Sequence, residues 1–155
     1  MANEYHYSVS LSILHPTVDP TAITALLAHL HPTQEVMVGT EMCRKDGKPM
    51  VPKRVAKQSH WEAQLHDEKR LYSGNRPMSE FLLDHLNELE KHRESLAQLR
   101  TEGRLAFVIG WFSDSNYSAD LLQADVLRKC GEQGIDLELN YYGPSISETG
   151  SLVHR

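Results

Sequence analysis

The chain has few cysteines and no long apolar run, and these two absences exclude several classes of protein. Its 155 residues include two cysteines, Cys43 and Cys130, which are too far apart to suggest a disulfide framework or a CxxC metal motif. No apolar run approaches the roughly 20 residues that a membrane-spanning helix needs. The N-terminus lacks a basic segment followed by an apolar core, so we expect no secretory signal. The sequence therefore predicts a protein of the reducing cytoplasm.

An excess of positive charge is also absent. The chain carries 16 Lys and Arg against 21 Asp and Glu, a net charge of −5, so it has no general attraction for nucleic acid or anionic membranes. The GxSxG, HExxH and GxGxxG signatures do not occur either, and we expect no catalytic residue, metal or cofactor from motifs. The remaining composition is that of an ordinary globular protein. The length predicts one domain, which we place over residues 1–142, and residues 143–155 are predicted to be a polar tail.

The spacing of apolar residues predicts an α+β fold. Period-two alternation indicates strands, and apolar stripes at i, i+3, i+4 indicate helices. In chain order the predicted elements are a strand at Tyr5–Leu14, a helix opened by Asp19 and Pro20 with the stripe Ile23, Leu26, Leu27 and Leu30, strands at Glu35–Val38 and Ser59–His66, a helix at Ser79–Thr101, a strand at Leu105–Phe112, a helix with the stripe Ala119, Leu122, Val126 and Cys130, and a strand at Ile135–Tyr141.

This order is β-α-β-β-α-β-α-β, and its first six elements match the split βαββαβ, or ferredoxin-like, pattern. In that pattern the first and third strands are neighbours at the centre of the sheet, and the helices cover one face. The final α-β pair is then a C-terminal extension that adds a parallel strand through a right-handed crossover. Whether the last helix covers the other face of the sheet is left open.

The polar face of this predicted sheet is the first candidate site. Residues that alternate with the buried ones on the first and third strands would lie side by side there, and the last strand could add Asp136 and Glu138. Imidazole and carboxylate groups on one rigid surface could bind a small polar ligand, a partner or a metal ion, although an ordinary solvated face is the simpler reading. The candidate ligand-binding residues are His6, Ser8, Ser10, His60, Glu62, Gln64 and His66.

A basic loop between Gly39 and Gln58 is the second candidate. Lys53, Arg54 and Lys57 could contact an acidic partner, and a mobile, solvated loop is the alternative. Between Arg44 and Lys57 the loop contains no aromatic residue for stacking on bases, so nucleic-acid binding is not favoured.

Several residues are similar in order and spacing to those of a small bacterial family, the domain-of-unknown-function family numbered four-two-seven-nine. They run from the first strand through the turn prolines and the helix stripe to a strand tryptophan: Tyr7 to Leu11, His15, Pro16, Asp19, Pro20, Ile23, Leu26, Leu27, His31, Pro32, Thr33, Gly39 and Trp61. The resemblance covers roughly the first two-thirds of the chain and implies a bacterial cytoplasmic domain. It implies no activity and no catalytic residue.

The sequence therefore favours a non-enzymatic binding or protein-interaction module, of which an immunity-type, toxin-neutralising protein is one version. The alternative is a small enzyme or a metal- or ligand-binding protein that uses His6, His60, Glu62 and His66 on the polar face. A homodimer formed through an uncovered sheet face or edge is a further expectation.

Overall fold

The first strand, β1 (His6–His15), lies at the centre of the sheet, and its side chains alternate between the two faces. The computed structural model describes residues 4–146 and 152–153. Tyr7, Val9, Leu11 and Ile13 are almost fully buried on one side of this strand, whereas Ser8 and Ser10 on the other side are only partly covered. One apolar side and one polar side on the same strand require a sheet whose two faces differ.

Five strands form the main path of this sheet, in the order β2-β3-β1-β5-β6, and β4 pairs with the beginning of β1. β5 and β6 are parallel, and the other pairs are antiparallel. The first and third strands are neighbours, as predicted. The strands are β2 (Gln34–Val36), β3 (Ser59–Gln64), β4 (Leu71–Tyr72), β5 (Arg104–Phe112) and β6 (Ile135–Tyr142), with a separate two-stranded pair of β7 (Ser145–Ile146) and β8 (Leu152–Val153).

Four helices pack on the apolar face of the sheet: α1 (Pro20–Leu26), α2 (Met78–Leu89), α3 (Arg93–Glu102) and α4 (Ala124–Gln133). Val126 and Cys130 of α4 belong to the same buried cluster as Leu82 and Leu86 of α2 and the inward side chains of β1. The last helix therefore lies beside the others. Within the described residues no helix covers the opposite face, which we call the open face. None of these helices is long and apolar enough to cross a membrane.

The α+β class is confirmed, and three predicted helix boundaries are wrong. The helix expected over Ser79–Thr101 is two helices, α2 and α3, separated by a 3-10 turn at Glu90–His92. Residues 90–95 include no apolar side chain, so no side chain of this turn packs against the sheet to keep the two helices continuous. The first helix ends at Leu26, before the last two leucines of its predicted stripe, although both of those are still buried.

The last helix begins at Ala124, five residues after the predicted first stripe residue, Ala119. In the preceding segment the Asp120 carboxylate accepts a hydrogen bond from the Leu121 amide at 2.7 Å, and the Ser113 hydroxyl accepts one from the Ser115 amide at 3.3 Å. Such local bonds compete with helical ones. Sequence analysis also missed the two-residue strand β4 and the pairing of β7 with β8 inside the predicted tail, of which residues 147–151 and 154–155 lie outside the described part.

Candidate functional site

The open face brings together most of the polar residues predicted from β1 and β3. Paired residues in an antiparallel sheet project to the same side, and the register opposes Ser10 to Gln64, Ser12 to Glu62 and Leu14 to His60. His6 and Ser8 continue the same side of β1 beyond the end of β3. The predicted juxtaposition of these two strands is therefore present in the fold.

A short polar network lies at the centre of this surface. His60 Nε2 is 3.3 Å from a carboxylate oxygen of Glu62 and 3.1 Å from the Ser12 hydroxyl. The hydrogen bond from His60 lowers the pKa of Glu62, burial opposes that shift, and a hydrogen bond from Ser10 adds to it. The carboxylate is therefore ionised at neutral pH and already paired within the sheet.

The geometry at His60 does not suit a Ser-His-acid triad. In a Ser-His-acid triad the serine and the carboxylate bind opposite nitrogens of the imidazole, so that one nitrogen can accept the serine proton while the other donates to the acid. Here Ser12 and Glu62 both approach Nε2. If Nε2 carries the proton for Glu62, it has no lone pair with which to activate Ser12.

His66 takes a structural position at the end of β3. Its Nε2 accepts a hydrogen bond from the Val9 amide at 3.0 Å, and its Nδ1 lies 2.7 Å from the Glu68 carbonyl oxygen, to which it donates. The ring thus replaces a main-chain carbonyl in the β1–β3 ladder and meets the edge of Phe81 with ring centroids 5.9 Å apart. The Gln64 amide donates to the carbonyls of His66 and Glu68, both at 2.9 Å. These contacts keep His66 away from the open face.

The other predicted members are spread along the face. The His6 ring lies against Tyr72 of β4, with centroids 5.2 Å apart. Asp136 and Glu138 are on β6, where both pair with Arg104 at 3.3 and 3.4 Å. Three strand spacings separate β6 from β3, about 14 Å, so these carboxylates do not meet His60. Among the described residues no three His, Cys, Asp or Glu side chains are grouped as metal ligands.

Residues 39–58 form a hairpin that we call the basic arm. The Gly39 amide donates to the Ala56 carbonyl and the Met42 amide to the Arg54 carbonyl, both at 2.8 Å, and Gly47, with φ +79°, makes the turn at the tip. The arm contains six Lys and Arg but only two acidic residues, a net charge of +4 in a chain of net charge −5. The predicted partner residues Lys53, Arg54 and Lys57 lie on the segment that returns from the tip to β3.

A groove of about 440 Å³ separates the basic arm from the open face. Leu14, Val36 and His60 line it from the sheet, and Met42, Ala56 and Lys57 line it from the arm. Sequence analysis missed its apolar residues. One signal was present, because Leu14 directly follows the buried Ile13 and so interrupts the alternation of polar residues on this side of β1.

These features occur in a chain that belongs to a family of uncharacterised domains. The family model described as a domain of unknown function, DUF4279, matches residues 3–144, which is nearly the whole chain. The resemblance seen in the first two-thirds of the sequence is thereby confirmed and extends through β6. No curated protein and no solved structure matches the chain.

Proposed function

We propose that this chain is a non-enzymatic binding module that takes an acidic segment of a protein partner in the groove between its basic arm and its open face. The observation that carries the proposal is the groove itself, which is lined by apolar side chains together with Lys57 and Glu41 and is bordered by the basic arm of net charge +4. A site of this composition can hold an apolar anchor side chain while the charges orient the flanking residues.

The floor of the groove supplies the apolar part of the contact. Leu14 and Val36 are half-buried on the open face, and Met42, which lines the groove from the arm, is 45% exposed. Methionine side chains adapt to irregular surfaces and are common where a protein binds an apolar partner group. One leucine- or phenylalanine-sized side chain would bury these residues together.

The basic arm supplies positive charge that the chain itself neutralises only in part. Lys53 is 3.1 Å from Glu41, and Arg44 is 3.6 Å from Asp46, so these two cations have carboxylate partners. The other four cations of the arm form no ion pair within the described residues: Lys45, Lys48, Arg54 and Lys57. Unpaired cations on the arm that borders the groove favour a partner with carboxylates and accelerate its association.

We further propose a ferredoxin-like fold, a bacterial cytoplasmic setting and an immunity-type role for this module. The strand order, with β1 and β3 at the centre and β5 beside β1, supports a ferredoxin-like fold with a C-terminal αβ extension. The isolated cysteines support a bacterial cytoplasmic setting. An immunity-type role, in which the module neutralises a toxin by binding it, is supported by the small size of the chain.

The proposal is tested by titrating the ¹⁵N-labelled protein with a synthetic peptide of alternating leucine and glutamate. Amide shifts are expected at Leu14, Val36, Met42 and His60. Lys57→Glu should weaken binding, because it reverses the charge of the lysine that lines the groove. Lys69→Glu is the matched control, since this exposed lysine lies outside the arm and forms no ion pair among the described residues.

Two outcomes would reject the acidic-partner proposal. One is a peptide that shifts no amide of the groove, or that binds Lys57→Glu as well as the unchanged protein. The other is tighter binding of a single-stranded oligonucleotide at the same amides, with an affinity that falls steeply as salt is added, which would assign the arm to nucleic acid. A peptide with lysine in place of glutamate should not bind.

A further inference from the structure

The outer edge of β6 is an unpaired strand edge. In the described part of the chain β6 pairs with β5 alone. The carbonyl of Tyr142 accepts a hydrogen bond from the Ser113 amide, so the even-numbered residues of β6 direct their main-chain groups toward β5. The odd-numbered residues Leu137, Leu139 and Tyr141 therefore direct their N–H and C=O groups outward.

This edge has few of the features that usually prevent strand pairing. Its sequence from Ile135 to Tyr142 contains no proline, lysine, arginine or glycine, and its two charged side chains, Asp136 and Glu138, are paired with Arg104 of β5. The side chains of Leu139 and Tyr141 are 53% and 55% exposed, and Leu127 on α4, the helix that packs on β6, is 48% exposed. An exposed apolar edge of this length requires a partner strand or it promotes aggregation.

We propose that the partner is a second copy of this chain, paired antiparallel through β6 about a two-fold axis at Leu139. Leu139 then faces its own copy, and Leu137 faces Tyr141. All outward main-chain groups of these residues are satisfied, which gives about six hydrogen bonds across the interface. On the open face Glu138 meets the neutral Asn140, and Asp136 meets Tyr142.

The charges of β6 select this register. Pairing centred one residue earlier would place Glu138 directly opposite Glu138 of the other copy, and like charges in that position destabilise a sheet. Pairing centred one residue later would place Asp136 opposite Pro144, which lies beyond the end of β6 in the other copy, and would shorten the overlap of the two strands. The strand is thus complementary to itself in a single register, which favours a second copy over an unrelated strand.

The proposed contact gives a closed dimer that leaves the groove free. Among the described residues the main sheet of each copy has one long free edge, because its opposite edge is the three-residue strand β2. Pairing through β6 about a two-fold axis therefore uses the edge completely and does not continue into a fibre. The basic arms lie at the two far ends of the joined sheet, so the dimer contact does not involve the groove and does not rest on the proposed function.

The test compares Leu139→Lys with Leu139→Glu by sedimentation equilibrium and native mass spectrometry. The unchanged protein should have twice its chain mass of 17.6 kDa. Each variant alone should dimerise about tenfold more weakly, since two like charges face each other at the axis. Mixing the two variants should restore a heterodimer. Val51→Lys is the matched control, because Val51 is 95% exposed in the arm and its substitution should leave the dimer unchanged.

Circular dichroism and thermal melting establish that both variants fold. A monomer at about 100 μM protein would overturn the proposal, because a dimer of micromolar affinity is almost complete at that concentration. A dimer that Leu139→Lys does not weaken, or a mixture of variants that forms no more heterodimer than either forms homodimer, would also overturn it.

Discussion

Replacing His66 by phenylalanine tests whether this residue supports the sheet or serves the open face. Phenylalanine keeps an aromatic ring against Phe81 but has no nitrogen to accept the hydrogen bond of the Val9 amide. Val9 is fully buried, and among the described residues its N–H group donates to the His66 ring alone. The substitution therefore leaves a buried N–H group unsatisfied and also removes the hydrogen bond to the Glu68 carbonyl.

The expected loss of stability follows from these two contacts. A buried donor without a partner costs about 1–3 kcal/mol, and a second hydrogen bond contributes about 1 kcal/mol, so unfolding should become easier by about 2–4 kcal/mol. His31→Phe is the matched control, because His31 is exposed and close to His66 at the same end of the sheet. That substitution should change stability by less than about 0.5 kcal/mol.

Urea denaturation measures the stabilities, and hydrogen exchange of the Val9 amide measures the contact itself. In the His66→Phe variant this amide should exchange much faster relative to global unfolding than in the unchanged protein. If stability falls by less than about 0.5 kcal/mol and the Val9 amide keeps its protection, the ring does not complete the β1–β3 ladder. His66 would then return to the set of open-face ligand residues.

Three other predictions concern the frame around the site. Gly103→Ala should destabilise the fold by about 3 kcal/mol in urea denaturation, because the added Cβ would overlap a carbonyl oxygen of β1 and lie 2.8 Å from a carbonyl oxygen of α3. Gly131→Ala is the control: the space around Gly131 is open, so this substitution should stabilise the fold by up to about 1 kcal/mol. Burial lowers the pKa of His85 below its usual 6.5, so its contribution to stability is present above pH 6.5 and is lost as pH falls; His85→Gln should flatten the stability profile below that pH, and an unchanged slope would contradict this. Cys43 should react with a thiol reagent in the native protein, and the buried Cys130, whose pKa burial raises to about 11, should react only after unfolding, as mass spectrometry of the adducts will show.

The sequence predicted the long strands better than the helix boundaries, for a physical reason. β1 combines alternation from Tyr5 to Ile13 with a proline after its end, and both signals are local. The break between α2 and α3 depends on which residues reach the sheet, and a stripe with a gap at residues 90–95 reads as one continuous helix when the sheet is unknown. The start of α4 depends on side chains such as Asp120 that bond their own neighbours, and periodicity does not report such bonds.

The candidate site was predictable only where it follows from strand order. The pairing of Ser12 with Glu62 and of Ser10 with Gln64 follows once β1 and β3 are neighbours. The groove does not, because it requires that the basic arm fold beside the open face, which no residue pattern in 39–58 indicates. The position of the His66 side chain away from the open face could not be predicted either, because it depends on one hydrogen bond with the Val9 amide.

The two proposed surfaces have a joint consequence that neither has alone. The β6 edge and the groove lie at opposite ends of the strand order, so a dimer through β6 carries two grooves that point away from each other. A partner with one acidic segment would gain nothing from dimerisation, whereas two such segments on a linker that spans the joined sheet would bind with an increased effective concentration. Leu139→Lys should therefore leave the affinity for a single leucine-glutamate peptide unchanged and weaken binding of a long-linked tandem of that peptide. Equal weakening of both would mean that the edge of β6 and the groove are coupled within one chain.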